Sequence, residues 1–235
     1  MKYYITALSL LMLFSCSKKD STANLHISGN IQDLTRGTLY IQKIEDTSLV
    51  VVDSIIVDGS SKFESDIQID SPEMYYLSVD TGDKNINNNL AFFAEPGNIT
   101  IETSLKNFSY GAKITGSHNQ SKYEEFRKVI TRFNDQNLSL TEQKFHAFKN
   151  NNRPSLDSID IKQNLNLKRR YLYVANFALN NKDFELSPYL TLTEIPDINL
   201  KLMDTIQKSM TPKVAGSKYG KKLIEFYKQR KLAGN

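Results

Sequence analysis

The sequence predicts an α+β protein in which a strand-rich half precedes a helical half. Three observations carry this reading. From Leu25 to about Thr115 the chain consists of short, β-branched, alternating runs broken by turn residues. From Ser117 onward apolar residues recur at spacings of three and four, and Gly116 marks the change. With 40% apolar residues, 12 Tyr and 12 Phe, the 235-residue chain can bury a proper core as one large or two modest domains.

Leu25, Ile27, Gly29 and Ile31 share one face of a first strand. Thr38 to Ile44 and Leu49 to Val57 follow, and the near-continuous apolar run of the latter predicts a strand covered on both faces. Asp58-Gly59-Ser60-Ser61 is a hairpin signal, answered by the alternation of Phe63, Ser65, Ile67 and Ile69. Met74 to Val79, Leu90 to Ala94, Ile99 to Thr103 and Phe108 to Ile114 complete the series. Glu95-Pro96-Gly97-Asn98 joins two of these runs, with Gly or Asn supplying positive φ. About eight short strands predict an antiparallel β-sandwich or open barrel over residues 25–116.

In the helical region, residues 117–235, Tyr123, Phe126, Val129, Ile130 and Phe133 form an apolar stripe. Ser155 after Pro154 is a candidate N-cap for a long helix through Ile159, Leu165, Leu172, Ala175 and Leu179. Ser187-Pro188 reads as a cap followed by proline at the first helical position. Asp197 is the candidate cap of a helix carrying Ile198, Leu202, Met203 and Ile206, and Ser217 opens a last one with Tyr219, Leu223, Phe226 and Tyr227. Lys149-Asn150-Asn151-Asn152 is a polar connection. Four or five helices are therefore expected.

The N-terminus carries an address. Lys2 precedes an apolar run from Ile5 to Phe14, followed at once by Leu13-Phe14-Ser15-Cys16 at its end. A run this short reads as a secretory signal, because a spanning helix needs about 20 residues. Leu13 to Cys16 resemble the bacterial lipobox, which implies cleavage between Ser15 and Cys16 and acylation of Cys16 by diacylglycerol and a fatty acid such as palmitate. Residues 1–15 are then a signal peptide and residues 16–24 a lipidated tether reaching at most ~29 Å. The resemblance favours the outer membrane, since Ser17 is not the aspartate that commonly retains lipoproteins at the inner one. Each buried CH₂ of such an anchor contributes about 0.8 kcal/mol.

Cys16 is the only cysteine, so no CxxC, intrachain disulfide or cysteine-based zinc site is available, and thiol redox chemistry by this chain alone is excluded. The formal charge of +4 names no partner, and nucleic acid is disfavoured by export. Asp83, Asn85 and Asn87 match the odd positions of a calcium loop, but Asn88 stands where glycine is required and Ala94 where a bidentate glutamate should be. A polar hairpin tip explains these asparagines better. His26, His118 and His146 show no metal-ligand spacing and read as surface or capping residues. No GxSxG, P-loop or GxGxxG occurs, and Glu124-Glu125 read as a helix's first turn. No cofactor is expected. Lys218, Lys221, Lys222, Lys228, Arg230 and Lys231, with Lys168-Arg169-Arg170, read as solvated helix faces before acidic-lipid contacts. Tyr171, Tyr173 and Phe177 read as core.

Ile27-Ser28-Gly29-Asn30-Ile31, Phe92-Phe93-Ala94-Glu95-Pro96-Gly97-Asn98-Ile99 and Ile114-Thr115-Gly116-Ser117 resemble a β-rich domain of unknown function. That domain precedes thioredoxin-like domains in exported Gram-negative lipoproteins. Ser187-Pro188-Tyr189 and Ser217-Lys218-Tyr219-Gly220 are similar to that family's helix starts. The resemblance implies the accessory half standing without its redox domain. The expected role is a lipid-anchored, non-catalytic cell-envelope scaffold or peptide-binding module with an envelope protein partner. A binder of glycan or lipid in a sheet–helix cleft, and an enzyme with no site visible in sequence, remain the alternatives.

Overall fold

The computed structural model describes residues 22–82 and 89–234. Eight strands come first: β1 (Leu25–Gln32), β2 (Arg36–Glu45), β3 (Ser48–Asp58), β4 (Lys62–Ile67), β5 (Glu73–Asp80), β6 (Asn89–Ala94), β7 (Gly97–Ser104) and β8 (Lys113–Thr115). They form two sheets, ordered β4-β1-β7-β8 and β3-β2-β5-β6. The sandwich is not closed, because among the described residues no ladder joins one sheet to the other. Leu25, Ile27, Leu39, Ile41, Leu77, Phe92, Ile99 and Ile101 fill its interior.

Four strand expectations are corrected. The sandwich is not wholly antiparallel: β1 and β7 run parallel, from Leu25↔Gly97 to Gln32↔Ser104. The intervening strands supply the long crossover that a parallel pair needs. Asp58-Gly59-Ser60-Ser61 closes no hairpin, because β3 and β4 lie in different sheets. Gly59, at φ 81°, instead turns the chain across the sandwich, its N–H donating to Thr35 O at 2.8 Å. The third correction is functional in its consequences. β3 is an edge strand, not one covered on both faces: Val52, Ile55 and Val57 face the core, while Leu49, Val51 and Ile56 are exposed. An apolar run has two readings, double coverage or one face left open, and tertiary structure selects the second. Of Phe108 to Ile114, only the end is strand. Phe108 is buried in the preceding turn, where its carbonyl accepts from Thr103 Oγ1 at 2.9 Å.

Six helices follow: α1 (His118–Lys149), α2 (Arg153–Asn180), α3 (Leu186–Glu194), α4 (Leu200–Ser209), α5 (Pro212–Gly216) and α6 (Lys218–Leu232). Adjacent residues Phe92 and Phe93 divide the molecule. Phe92 enters the sandwich and Phe93 the second core, with Met74, Phe126, Val174, Leu190, Met203, Ile206 and Leu223. This is strand alternation used to join two layers.

Ser217 caps α6 as expected, accepting from Gly220 N at 3.2 Å. Three other caps move. Asn152 caps α2 and accepts from Ser155 N, so the helix starts earlier and takes Pro154 into its first turn. Ser187 and Pro188 sit inside α3, behind Glu185, with the Ser187 hydroxyl turned in to Ala178 O at 2.8 Å. Asn199, not Asp197, caps α4, because Asp197 accepts from the Tyr171 hydroxyl. Glu124 and Glu125 lie beyond the first turn of α1, in reach of Gln120 and Lys122.

α1 and α2 form an antiparallel hairpin joined by the expected Asn150–Asn152 turn. Contact with the second core extends out to about Phe133, where Asn166 Nδ2 donates to the Phe133 carbonyl at 2.9 Å. Beyond it the two helices hold one another through Leu140, Ala147, Leu156 and Ile159. At 1.5 Å per residue, residues 134–149 extend the arm by about 24 Å. No helix among the described residues is long and apolar enough to cross a membrane.

Candidate functional site

The sandwich and helices meet at a polar seam built around Asn119, in the first turn of α1. Ser117 caps the helix, and Glu95, from the turn between β6 and β7, accepts from the backbone N–H of His118 and Asn119. A carboxylate facing the unpaired amides of a helix start is favourably placed. Asn119 Nδ2 then donates both to Glu95 Oε2 at 2.8 Å and to Glu185 Oε2 at 2.9 Å. Its Oδ1 accepts from Leu186 N, which fixes the start of α3. The Glu185 carboxylate is buried, and Lys213 Nζ approaches its other oxygen at 3.4 Å.

This seam opens into a cleft of about 590 Å³ lined by β2, the loop before β5, and the starts of α3, α5 and α6. Its charges are matched in pairs: Lys43 with Glu45, Lys213 with Glu185, and Lys218 with Glu73. Contact with Glu45 raises the Lys43 pKa, and contact with Lys43 lowers that of Glu45. Lys221 and Asp70 complete the wall. Two of these pairs, Lys213 with Glu185 and Lys218 with Glu73, link different elements across the cleft, while Lys43 with Glu45 lies within β2.

Above it lies an aromatic layer. Tyr189 stands 5.0 Å from Tyr219 and 5.9 Å from Phe93, and Tyr123 stands 6.4 Å from Tyr189. The Tyr219 hydroxyl accepts from Met74 N at 3.1 Å, linking α6 to β5. Burial pushes the phenols of Tyr75, Tyr123, Tyr189 and Tyr219 above their ordinary range. Tyr173 stacks on Phe126 and Phe177 meets it edge-on, as the core reading expects. Tyr171 is also partly buried against this core, and it lines an apolar groove beside α4 as well.

Among the described residues, two apolar surfaces are exposed. The helices cover β5 and β6 through Met74, Tyr76, Ala91 and Phe93, but Ile44, Leu49, Val51 and Ile56 on β2 and β3 stay exposed. The pairs Ile44↔Leu49, Gln42↔Val51 and Thr38↔Ile56 place these side chains on one face. On the helical half, Leu138, Phe145 and Phe148 of α1 and Ile161, Leu165, Leu167 and Leu172 of α2 are exposed.

The sequence-derived candidates fall as follows. Ser15 and Cys16 lie outside the described residues, as do Asp83, Asn85, Asn87 and Asn88; Ala94 is fully buried at the end of β6. The three histidines are not brought together. His26 Nδ1 lies 2.7 Å from Asp66, His118 begins α1, and His146 sits in its last turn against Phe145. No group of three or more His, Cys, Asp or Glu among the described residues is arranged to hold a metal. Besides Lys218, which pairs with Glu73, two members of the basic clusters serve the fold. Arg230 donates to the carbonyls of Pro196 and Ile198, and Arg170 pairs with Glu194.

Asn119 and Glu185 had no sequence signal, being 66 positions apart in ordinary helical contexts. Gly116, by contrast, was legible as a boundary. Its φ is 97°, and a Cβ there would overlap the Asn98 carbonyl, so only glycine lets β8 pass into α1. A Cβ on Gly29 would likewise overlap Ile101 O and the Phe63 ring, which explains glycine in the middle of β1.

No curated protein matches the chain. One family model matches, over residues 25–123, from the first residue of β1 into the first turns of α1. The N-terminal sandwich of this chain is thus similar to the family described as Domain of unknown function (DUF4369), whose model it matches.

Proposed function

We propose that this chain is a lipid-anchored protein of the cell envelope that acts without catalysis, as a docking module for another envelope protein. In this reading Cys16 carries the acyl anchor, with the outer membrane as its membrane. The observation that carries the docking role is the open face of β2 and β3. Four large apolar residues of the described chain, Ile44, Leu49, Val51 and Ile56, are exposed there, outside the core the helices form on β5 and β6. A contiguous apolar surface marks an interaction site.

The occupant is an extended segment of the partner. Among the described residues β3 pairs on one side only, with β2, so its other edge offers ladder hydrogen bonds for strand addition. A register shift opposite Ile41/Gln42 and the carboxylate of Asp53, bound by Ser65 Oγ at 2.5 Å, interrupt this edge midway. They confine strand addition to the end near Leu49 and Val51, as protected edges do. The matched charges of the polar cleft favour a structural over a catalytic role there.

Crosslinking in the native membrane, with the anchor intact, tests the reading. The wild type is expected to recover a partner that Leu49→Lys and Val51→Lys lose, while both variants keep wild-type stability within about 0.5 kcal/mol. Recovery of monomer alone, or equal recovery by the variants, overturns it.

A further inference from the structure

α2 carries a second surface that the docking role does not use. Ile159 and Asn166 are buried toward α1, which orients the helix. At 100° per residue, Ile161, Leu165 and Leu172 fall within about 40° of one another, about 120–160° around from Ile159. They are 61%, 46% and 59% exposed. The same rotation puts Lys162 and Arg169 on one flank of this stripe and Lys168 on the other, all exposed. From Ile161 to Asn180 the helix has no acidic residue, and Arg170 turns aside to Glu194. The stripe runs into an apolar groove of about 430 Å³ between α2 and α4, lined by Leu167, Tyr171, Leu172, Ile198 and Leu202.

We propose that this face of α2 rests on an anionic lipid surface, with Ile161, Leu165 and Leu172 entering the headgroup–acyl boundary and Lys162, Lys168 and Arg169 meeting phosphates. Apolar residues bordered on both sides by basic ones match such an interface. A second copy of the chain is a poor occupant, because two basic faces would repel. The stripe spans only about 17 Å along one helix, short for a protein interface but sufficient to seat a helix on a bilayer. The proposal rests on the Cys16 anchor for proximity alone: acylation there would hold the whole chain at a bilayer surface.

The test places an environment-sensitive fluorophore on Leu165→Cys in the full chain, with the parent chain as blank and Tyr110→Cys as an exposed control. Vesicles of phosphatidylcholine, with or without about 30% phosphatidylglycerol, are added at about 0.1 M salt. The label at 165 is expected to blue-shift only with phosphatidylglycerol, and to revert at high salt. Joint replacement of Lys162, Lys168 and Arg169 by Gln should weaken the response on the order of a hundredfold, from about fivefold per charge. A label that stays water-exposed on anionic vesicles overturns the proposal. So does one protected without lipid as chain concentration rises, which indicates self-association, or one protected only by added envelope protein. Labelled-palmitate incorporation separates the two readings. An unacylated chain that still responds supports the face and sinks the anchor, while an acylated chain with an exposed label does the reverse.

Discussion

Asn119 and Glu185 meet at 2.9 Å across the junction of sandwich and helices, and Asn119 holds Glu95 with the same amide nitrogen. One side chain thereby ties the sheet turn to the starts of α1 and α3. Asn119→Ala should destabilise the protein by about 3 kcal/mol, because two buried carboxylates and the Leu186 N–H lose a partner together. Denaturant unfolding checks this. A loss under 1 kcal/mol would mean that water replaces the amide.

Gly116→Ala should cost roughly 3 kcal/mol, since positive φ and overlap with the Asn98 carbonyl act at once. Gly59→Ala is the control: its φ is also positive, but nothing lies within 4 Å of the added Cβ. Thermal melts should rank Gly116→Ala well below Gly59→Ala.

Stability should fall at alkaline pH. Burial raises the phenol pKa values of Tyr75, Tyr189 and Tyr219, so the folded state holds these protons more tightly than the unfolded state. Their stabilising contribution is complete below the unfolded value of about 10 and is lost as pH rises above it. Tyrosinate absorbance should therefore lag in the folded protein and appear together with unfolding. Full ionisation of all 12 tyrosines near pH 10 with the fold intact would contradict this.

Labelled palmitate should enter the wild-type chain and be absent from Cys16→Ala. Equal labelling of the two would refute the anchor and the outer-membrane assignment together.

Alternation and helical period located the strand and helix halves, and Gly116 between them was readable because its conformation is a local demand. Ser217 likewise capped its helix as read, the hydrogen bond spanning only three residues. The failures share a cause. Ser155, Ser187 and Asp197 have the chemistry of caps, yet a neighbouring residue or a distant partner took that role. Local chemistry offers several candidates, and packing chooses among them.

From its sequence alone, then, this protein has a sandwich followed by helices, a single cysteine and two helical basic clusters, because periodicity, composition and turn chemistry are properties of short segments. Tertiary structure alone decided that β1 and β7 run parallel, that β3 lies at an edge with its apolar face open, and that Asn119 joins Glu95 to Glu185. Each of these depends on which distant segments become neighbours, and the chain settles that only when its two cores close together.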